Sequence, residues 1–452
     1  MAIQLVAVAS LLLGSSFLLI AGAMHGLLLA VRGAAAGFTT TELGLLGTGW
    51  AFGFVTGTIL IPYVVRRVGH VRTYGALASV AAVTILLNLL IETPVAWIAI
   101  RAVTGFAFAG AAMIVESWLN ERATRETRGT IFSVYQMVNF AASTAGQLML
   151  TIAPPTEYFH FVLGAIFYCL AILPTALSTA ATPRQLKTTR FDIRRLYTLS
   201  PVSAVACFLI GCVNGAFGTL GPVYAQRIGL PVREIATLTA GALLGGSLIQ
   251  FPLGWLSDRM DRRRVLVGVG VGAVVIGLTI LAIRPRDPVF ITGLIVLYGA
   301  MSYPMYALSV AHANDFAGAD EFVKIASGLL LLYGIGTMIG PIVASYGMQH
   351  WMPEALFAFT ATFHLLVVGY TLFRMTRRAP PSTRESFKGF ILPKTVTPES
   401  AVLDPRADAV DENSALPAEA SSPSDDVPAN GEDSPPAGGD ESSLSPDETP
   451  KT

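Results

Sequence analysis

Twelve stretches of this chain are apolar over lengths that reach across a lipid bilayer, and no other feature restricts its fold as severely. A spanning helix needs about 20 mostly apolar residues. Such runs lie at 4–30, 42–64, 74–92, 95–119, 130–152, 159–181, 201–225, 235–256, 265–283, 288–311, 325–347 and 354–373. With no water in the bilayer core, each run must satisfy its own backbone N–H and C=O groups, which selects helices. The breaks carry proline, glycine and charge, as in IETP, APPTEY, RPRDP and QHWMPE. Charged residues make up 13% of the 452, against the roughly 25% of a soluble domain. The expected fold is therefore all-α and integral to the membrane, with about 12 transmembrane helices. The first run has no Lys or Arg ahead of it and is too long for a signal core, so it is expected to remain as the first helix.

The zero formal net charge averages two unlike parts. Residues 399–452 hold 14 acidic against 2 basic side chains, leaving 28 basic and 16 acidic in the rest. Basic residues also separate by loop. One set of alternate loops holds 15 of them, including Arg66, Arg67, Arg72, Arg122, Arg128, Arg194, Arg195 and the Arg259–Arg264 group. The other set holds 5: Arg32, Arg227, Arg233, Arg284 and Arg286. The positive-inside rule then puts both termini in the cytoplasm, which agrees with an even number of spans.

The long basic segment TPRQLKTTRFDIRRLYTLSP divides the membrane part after six spans. PYVVRRVGHVR in the first part lines up with GWLSDRMDRRR in the second, and AMIVES with PMYALS at the same shift. This echo predicts two pseudo-symmetric six-helix bundles from a duplicated unit. The expected layout is an N-terminal bundle over 1–181, a cytoplasmic linker over 182–200, a C-terminal bundle over 201–378 and a disordered acidic Pro/Ser-rich tail over 379–452. Cys169, Cys207 and Cys212 sit inside apolar runs, so they read as small hydrophobes, with neither a disulfide framework nor a metal site.

The positive-inside rule explains the arginines of GWLSDRMDRRR but leaves Asp258 unexplained. An acid there can accept hydrogen bonds at a neighbouring helix N-terminus and pair with an arginine, latching two helices; a solvated charged loop is the alternative. The run Gly254-x-x-x-Asp258-Arg259-x-x-Arg262-Arg263-Arg264 resembles the loop signature G-x-x-x-D-R-x-G-R-R/K of the major facilitator superfamily, which recurs after spans two and eight. Asp261 replaces the second glycine. The first copy keeps Arg67, Gly69 and Arg72 but has Pro62 for the first glycine and Arg66 for the acid. Arg101-Ala-Val-Thr-Gly-Phe-Ala in span four resembles the family's R-x-x-Q-G-x-G/A without its glutamine. ESWLNERATRETRGTIFSVY looks like the YcaD-like branch of bacterial transporters. The resemblance covers about residues 1–378. It implies a secondary transporter with two rocking bundles, a cytoplasmic gate at the arginine loop and a coupling role for Arg101.

Ionisable groups inside a membrane are functional candidates by default. Arg101 falls about 9 Å inside span four, and Glu116 about 22 Å further along the same helix, too far for direct pairing. Glu116 either titrates with transport or pairs with Arg122 or another loop arginine. With His25, these two are the coupling candidates. In span five, Gln136, Asn139, Ser143 and Gln147 recur at three- and four-residue steps and share one face. A polar stripe should avoid lipid and line a wet path or a helix contact. Arg101, Gln147 and His25 are expected to form the outer part of a central cavity, with Asn214, Gln250, Tyr303 and Tyr306 on its far wall. Gly49, Gly53 and Gly57, and likewise Gly241 and Gly245, and Gly336 and Gly340, repeat every fourth residue, as close helix contacts require.

These features point to a secondary transporter of a small-molecule solute, with proton coupling motivated by Arg101, Glu116 and His25, and the resemblance implies the bacterial inner membrane as its place. A membrane sensor or scaffold recruiting partners through the acidic tail is the rival reading. No G-x-x-x-x-G-K-[ST], H-E-x-x-H or G-x-S-x-G run is present, so neither direct ATP use nor hydrolytic chemistry is expected. The expectation is a monomer in lipid, with no cofactor, no metal and no nucleic-acid partner.

Overall fold

The computed structural model describes residues 2–124, 127–176, 193–317, 321–377 and 397–403. Among these, every regular element is a helix. The first six are α1 (Ala2–Ala35), α2 (Thr40–Val68), α3 (His70–Leu90), α4 (Pro94–Arg122), α5 (Arg128–Leu148) and α6 (Phe159–Ala176). A short α7 (Ile193–Leu199) follows, then α8 (Pro201–Arg227), α9 (Val232–Arg259) and α10 (Arg262–Ile283). The last are α11 (Pro288–Ser302), α12 (Pro304–Asn314), α13 (Phe322–His350), α14 (Ala355–Met375) and α15 (Pro398–Leu403).

Eleven spans among the described residues are long and apolar enough to cross a membrane, counting α11 and α12 together as Pro288–Asn314. The twelfth helix, α5, is absent from that set. It is the helix whose polar stripe displaces apolar residues, so its low hydropathy and its stripe have one cause. Most helices run two to five residues beyond their apolar cores, because turns beyond the bilayer need no apolar side chains. Thr39 caps α2 in a capping box with Glu42, and Asp287 caps α11 through the Phe290 N–H. Span ten is interrupted at Tyr303–Pro304, where the proline removes a backbone donor.

The two bundles repeat one packing scheme. In the first, α1 packs on α5 and α6, α2 on α4, and α3 on α4 and α6. In the second, α8 packs on α13 and α14, α9 on α11, and α10 on α11 and α14. Shifting each helix by six spans converts the first list into the second. Glycines set the closest approaches at matching places. A Cβ on Gly53 or Gly105 would strike the facing backbone between α2 and α4; Gly245 and Gly299 do the same between α9 and α11.

Chain alternation gives the molecule two ends. An arginine-rich end holds the turns after α2, α4, α9 and α12 together with the end of α14. At the opposite end the bundles meet closely. There the Thr40 N–H donates to Gln349 Oε1 at 2.8 Å and Thr48 Oγ1 to the Met338 carbonyl at 2.8 Å. Gly44 faces Ser345 and Pro341, and Gly47 faces Thr219.

Two segments carry structure beyond the expected layout. The linker contains a helix, α7, which docks on the second bundle through Arg195 to Glu321 at 3.1 Å and Tyr197 to Tyr370 at 3.2 Å. The tail is not unstructured throughout: α15 packs against α4, α5 and α13, with Thr397 fully buried. Composition carries the expectation of disorder, and it cannot register a short segment seated on a prebuilt surface. Residues 378–396 and 404–452 lie outside the described residues.

Candidate functional site

Between the bundles lies a cavity of about 210 Å³, walled by α1, α2, α4, α5 and α6 on one side and by α8, α9, Tyr303 and α13 on the other. Trp50, Phe54, Phe108, Phe217, Tyr303 and Tyr333 are among its lining residues. Trp50 stacks on Phe54 with ring centroids 5.0 Å apart and lies 6.1 Å from Phe108. The polar lining is sparse: Arg101, Ser143, Gln147, Tyr168, Asn214, Ser327 and a few further threonine and tyrosine hydroxyls. The seal described above closes the opposite end. Towards the arginine-rich end, Pro398 of α15 forms part of the lining.

The sequence-predicted cavity residues divide. Arg101, Ser143, Gln147, Asn214 and Tyr303 line the space. Gln136 and Asn139 do not, since Asn139 Nδ2 donates to Gln136 Oε1 at 3.2 Å and both side chains are buried in protein. The stripe on α5 is thus part helix contact and part cavity wall. His25 also points elsewhere: its Nε2 lies 3.0 Å from Asn88 Oδ1 on α3, and its ring meets Tyr168 edge-on. Gln250 is buried outside the cavity, and Tyr306 packs on the Tyr333 ring at 4.7 Å. Helical periodicity locates the polar faces. It cannot say which neighbour each face will meet.

Tyr168, Ser327 and Tyr333 escape a sequence reading because hydroxyls are common within apolar runs. Several lining groups lack a hydrogen-bond partner among the described residues: Gln147 Oε1, Tyr168 Oη, Asn214 Nδ2 and Ser327 Oγ. Asn214 Oδ1 accepts from Ser302 Oγ at 3.2 Å, which fixes the amide and turns its NH₂ towards the Tyr333 hydroxyl at the cavity wall. Arg101 has no carboxylate within ion-pair distance among the described residues; the ionisable groups in electrostatic reach are Tyr168 and His25.

Glu116 is buried at the arginine-rich end of α4. Among the described residues its carboxylate is bonded by hydroxyls and the Ser400 backbone N–H rather than by arginines. Tyr135 Oη donates to Oε1 at 3.1 Å, and Thr397 Oγ1 donates to Oε2. Arg122, the expected partner, sits a turn and a half away at the helix end.

In the arginine loop the hub is Arg262, at 1% exposure. Its Nε donates to Asp315 Oδ2 at 2.9 Å, and its Nη1 to Ser257 Oγ at 3.0 Å and Asp258 Oδ1 at 3.2 Å. These bonds join α9, α10 and the end of α12, all in the second bundle. Asp258 is 28% exposed and Asp315 only 1%. The motif centres the expected latch on Asp258, yet the deeper partner is Asp315, far along the chain. Gly254 is buried and gives its carbonyl to Ser257 Oγ at 2.8 Å. Asp261 caps α10 and pairs with Arg263 at 2.7 Å. Burial raises the Asp261 carboxyl, but the Arg263 bonds outweigh it and hold the group below the usual carboxylate range. Arg259 lies over Trp255 at 3.6 Å, and Arg264 is exposed. In the first copy, Arg67 and Arg72 are exposed and Gly69 takes φ +91°, a turn that glycine adopts without strain.

The family model described as Major Facilitator Superfamily matches residues 6–241 and 203–416. The MFS-type transporter YcaD of Escherichia fergusonii is 28% identical over 331 residues, covering 72% of this chain and 84% of that one. Among solved structures, the nucleoside transporter NupG superposes with a TM-score of 0.69 at 11% identity over 82% of this chain and 99% of NupG. A bacterial homologue of the lysosomal transporter Spinster, inward-facing and occupied, gives 0.62 at 14% identity over 82% of this chain and 96% of its own. At these identities the structural likenesses speak for the fold.

Proposed function

Since the chain belongs to the major facilitator superfamily, we propose that it carries a small solute across the bacterial cytoplasmic membrane by alternating access. That it is a multi-pass membrane transporter and not an enzyme follows from the family and its relatives. The finer reading is carried by one observation: a largely apolar cavity with a few convergent polar groups lies between two repeated bundles that, among the described residues, are sealed together at the end away from the arginines. Rocking the bundles about that cavity exposes it to each side in turn. The excess of arginine at the cavity's α15 end argues that this end faces the cytoplasm. On that reading the described state is open towards the cytoplasm apart from the α15 segment.

Glu116, a buried acid bonded to hydroxyls with the Glu399 carboxyl in electrostatic reach, is the group best placed to take and release a proton as that end opens and closes. Arg262 and its two carboxylates brace α9, α10 and α12 at the same end. Coupling is refuted if solute uptake into proteoliposomes is unchanged when the pH gradient is collapsed.

The test of alternating access is two-sided labelling. In a background lacking Cys169, Cys207 and Cys212, Gln147→Cys should react with a membrane-impermeant thiol reagent from either face. Cross-linking Thr40→Cys to Gln349→Cys with a short bismaleimide should abolish reaction from the opposite face only. A residue 147 reached from one face regardless of cross-linking removes the alternating cycle.

A further inference from the structure

We propose that the transported solute is an organic anion with an apolar or aromatic body, its anionic group held by Arg101; this rests on the transporter reading above. Among the described residues, Arg101 is the one charged side chain in the cavity lining, and no Asp or Glu lines it. Its guanidinium has no ion-pair partner among those residues. A cation enclosed without a counter-charge is unfavourable, and a carboxylate on the solute supplies one in the bidentate geometry that the planar guanidinium presents. Tyr168 Oη and Gln147 Oε1 belong to the same lining without a partner among the described residues, and the Asn214 NH₂ lies beside them near the Tyr333 hydroxyl. Tyr168 and Asn214 can donate to an anion's remaining oxygens, and Gln147 Oε1 can accept from a hydroxyl or amide on the body. The rest of the wall is aromatic and aliphatic, which suits an apolar body. A cationic solute would meet Arg101 with no acid to offset the repulsion.

The full-length chain, purified in detergent, is titrated with benzoate and phenylacetate, with the matched amides and with the matched amines, and its melting temperature is followed. The carboxylates should raise it, while the amides and amines leave it unchanged. Arg101→Gln should weaken carboxylate binding roughly tenfold or more, the loss expected for a charge-assisted bond. Arg101→Lys should keep the preference for anions at lower affinity. The empty Arg101→Gln protein should melt no lower than wild type, since an uncompensated charge is gone; a structural arginine would give a drop. If amides or amines stabilise as well as carboxylates, or no carboxylate binds, the anion assignment falls. Transport would still stand on two-sided labelling of Gln147→Cys, and loss of that labelling would remove the transporter reading instead.

A second inference has its own observation. The geometry points to residues 397–403 as a brake on the cycle. Thr397 is fully buried on Glu116, Ser400 is buried, and Pro398 reaches the cavity. The segment contacts α4 and α5 of one bundle and α13 of the other. Closing this end brings those helices together, so the segment must leave first, and its docking holds the cavity in the described state. The readout is the labelling rate of Gln147→Cys from the opposite face, which requires closure at the arginine-rich end. Ending the chain at Arg378 should speed it severalfold, and Thr397→Val in the full chain should speed it less. Ser400→Cys should be protected from the reagent relative to the same chain in denaturing detergent. An unchanged or slower rate in both variants, or a freely reactive residue 400, overturns the brake.

Discussion

Arg262 shows what burial does to an arginine of the positive loops. Most of its neighbours are exposed and contribute charge to an interface, where single pairs are worth about 0–1 kcal/mol. Arg262 is enclosed, and so is Asp315, so each is the other's compensation. Removing Arg262 takes from the buried Asp315 carboxylate its guanidinium partner, a loss of about 3–5 kcal/mol. Arg262→Met should therefore melt well below wild type in detergent. Adding Asp315→Leu should recover most of the loss, because the buried carboxylate that faced the guanidinium goes with it. Asp258→Asn should cost about 1 kcal/mol or less, as befits a partly exposed partner. A double variant no more stable than Arg262→Met alone would mean that the pair is not mutually compensating. The arginine is legible in its motif, whereas Asp315 is not. An acid in a loop 53 residues after Arg262 carries no local signal, and only the folded α12 brings it beneath α10.

At the scale of elements, glycine spacing decides which helices touch. The four-residue repeats on α2, α9 and α13 are legible because close contact requires a missing side chain at regular steps. In the fold, Gly53 sits against the Ala102 carbonyl and Gly340 against the Cys212 carbonyl. Backbone cannot yield there as a side chain can. A methyl added at Gly293 on α11 would meet nothing within 4 Å, so the same substitution there points into open space. Gly53→Ala should lower the melting temperature or abolish folded yield, at a cost of about 1–3 kcal/mol or more. Gly293→Ala should be neutral or gain up to about 1 kcal/mol from helix propensity. Equal effects at the two sites would break the argument. The polar stripe of α5 is equally legible as a pattern, but its division into Gln136 and Asn139 against protein and Ser143 and Gln147 against the cavity depends on neighbours from both bundles. Periodicity reports a face, and tertiary packing assigns what that face meets.

For the whole molecule, the described state depends on how tightly the bundles fit at the end away from the arginines. Twelve helices and a duplicated unit can be read from the chain because the bilayer imposes length and polarity on each span. The seal cannot, since it is made of small residues, Gly44, Gly47, Thr48 and Ser345, whose identity is unremarkable until the bundles meet. That seal gives a way to bias the molecule. A Cβ on Gly44 would lie 2.6 Å from Ser345 Cβ and 2.8 Å from the Pro341 carbonyl, across the gap between bundles. Gly44→Leu should act as a wedge that penalises this state and spares the one in which the seal is open. A penalty of about 2 kcal/mol shifts the ratio of the two states roughly 30-fold. Reaction of Gln147→Cys from the opposite face should then accelerate, while reaction from the arginine-rich face slows. The fold itself should survive, because the atoms nearest a Cβ at Gly44 belong to Ser345 and Pro341 of the other bundle. If both faces slow together, the wedge has disrupted packing without opening the seal. If neither changes, the contacts at Gly44 do not hold the molecule in this state, and closure at that end must rest on Thr40, Thr48 and their partners on α13.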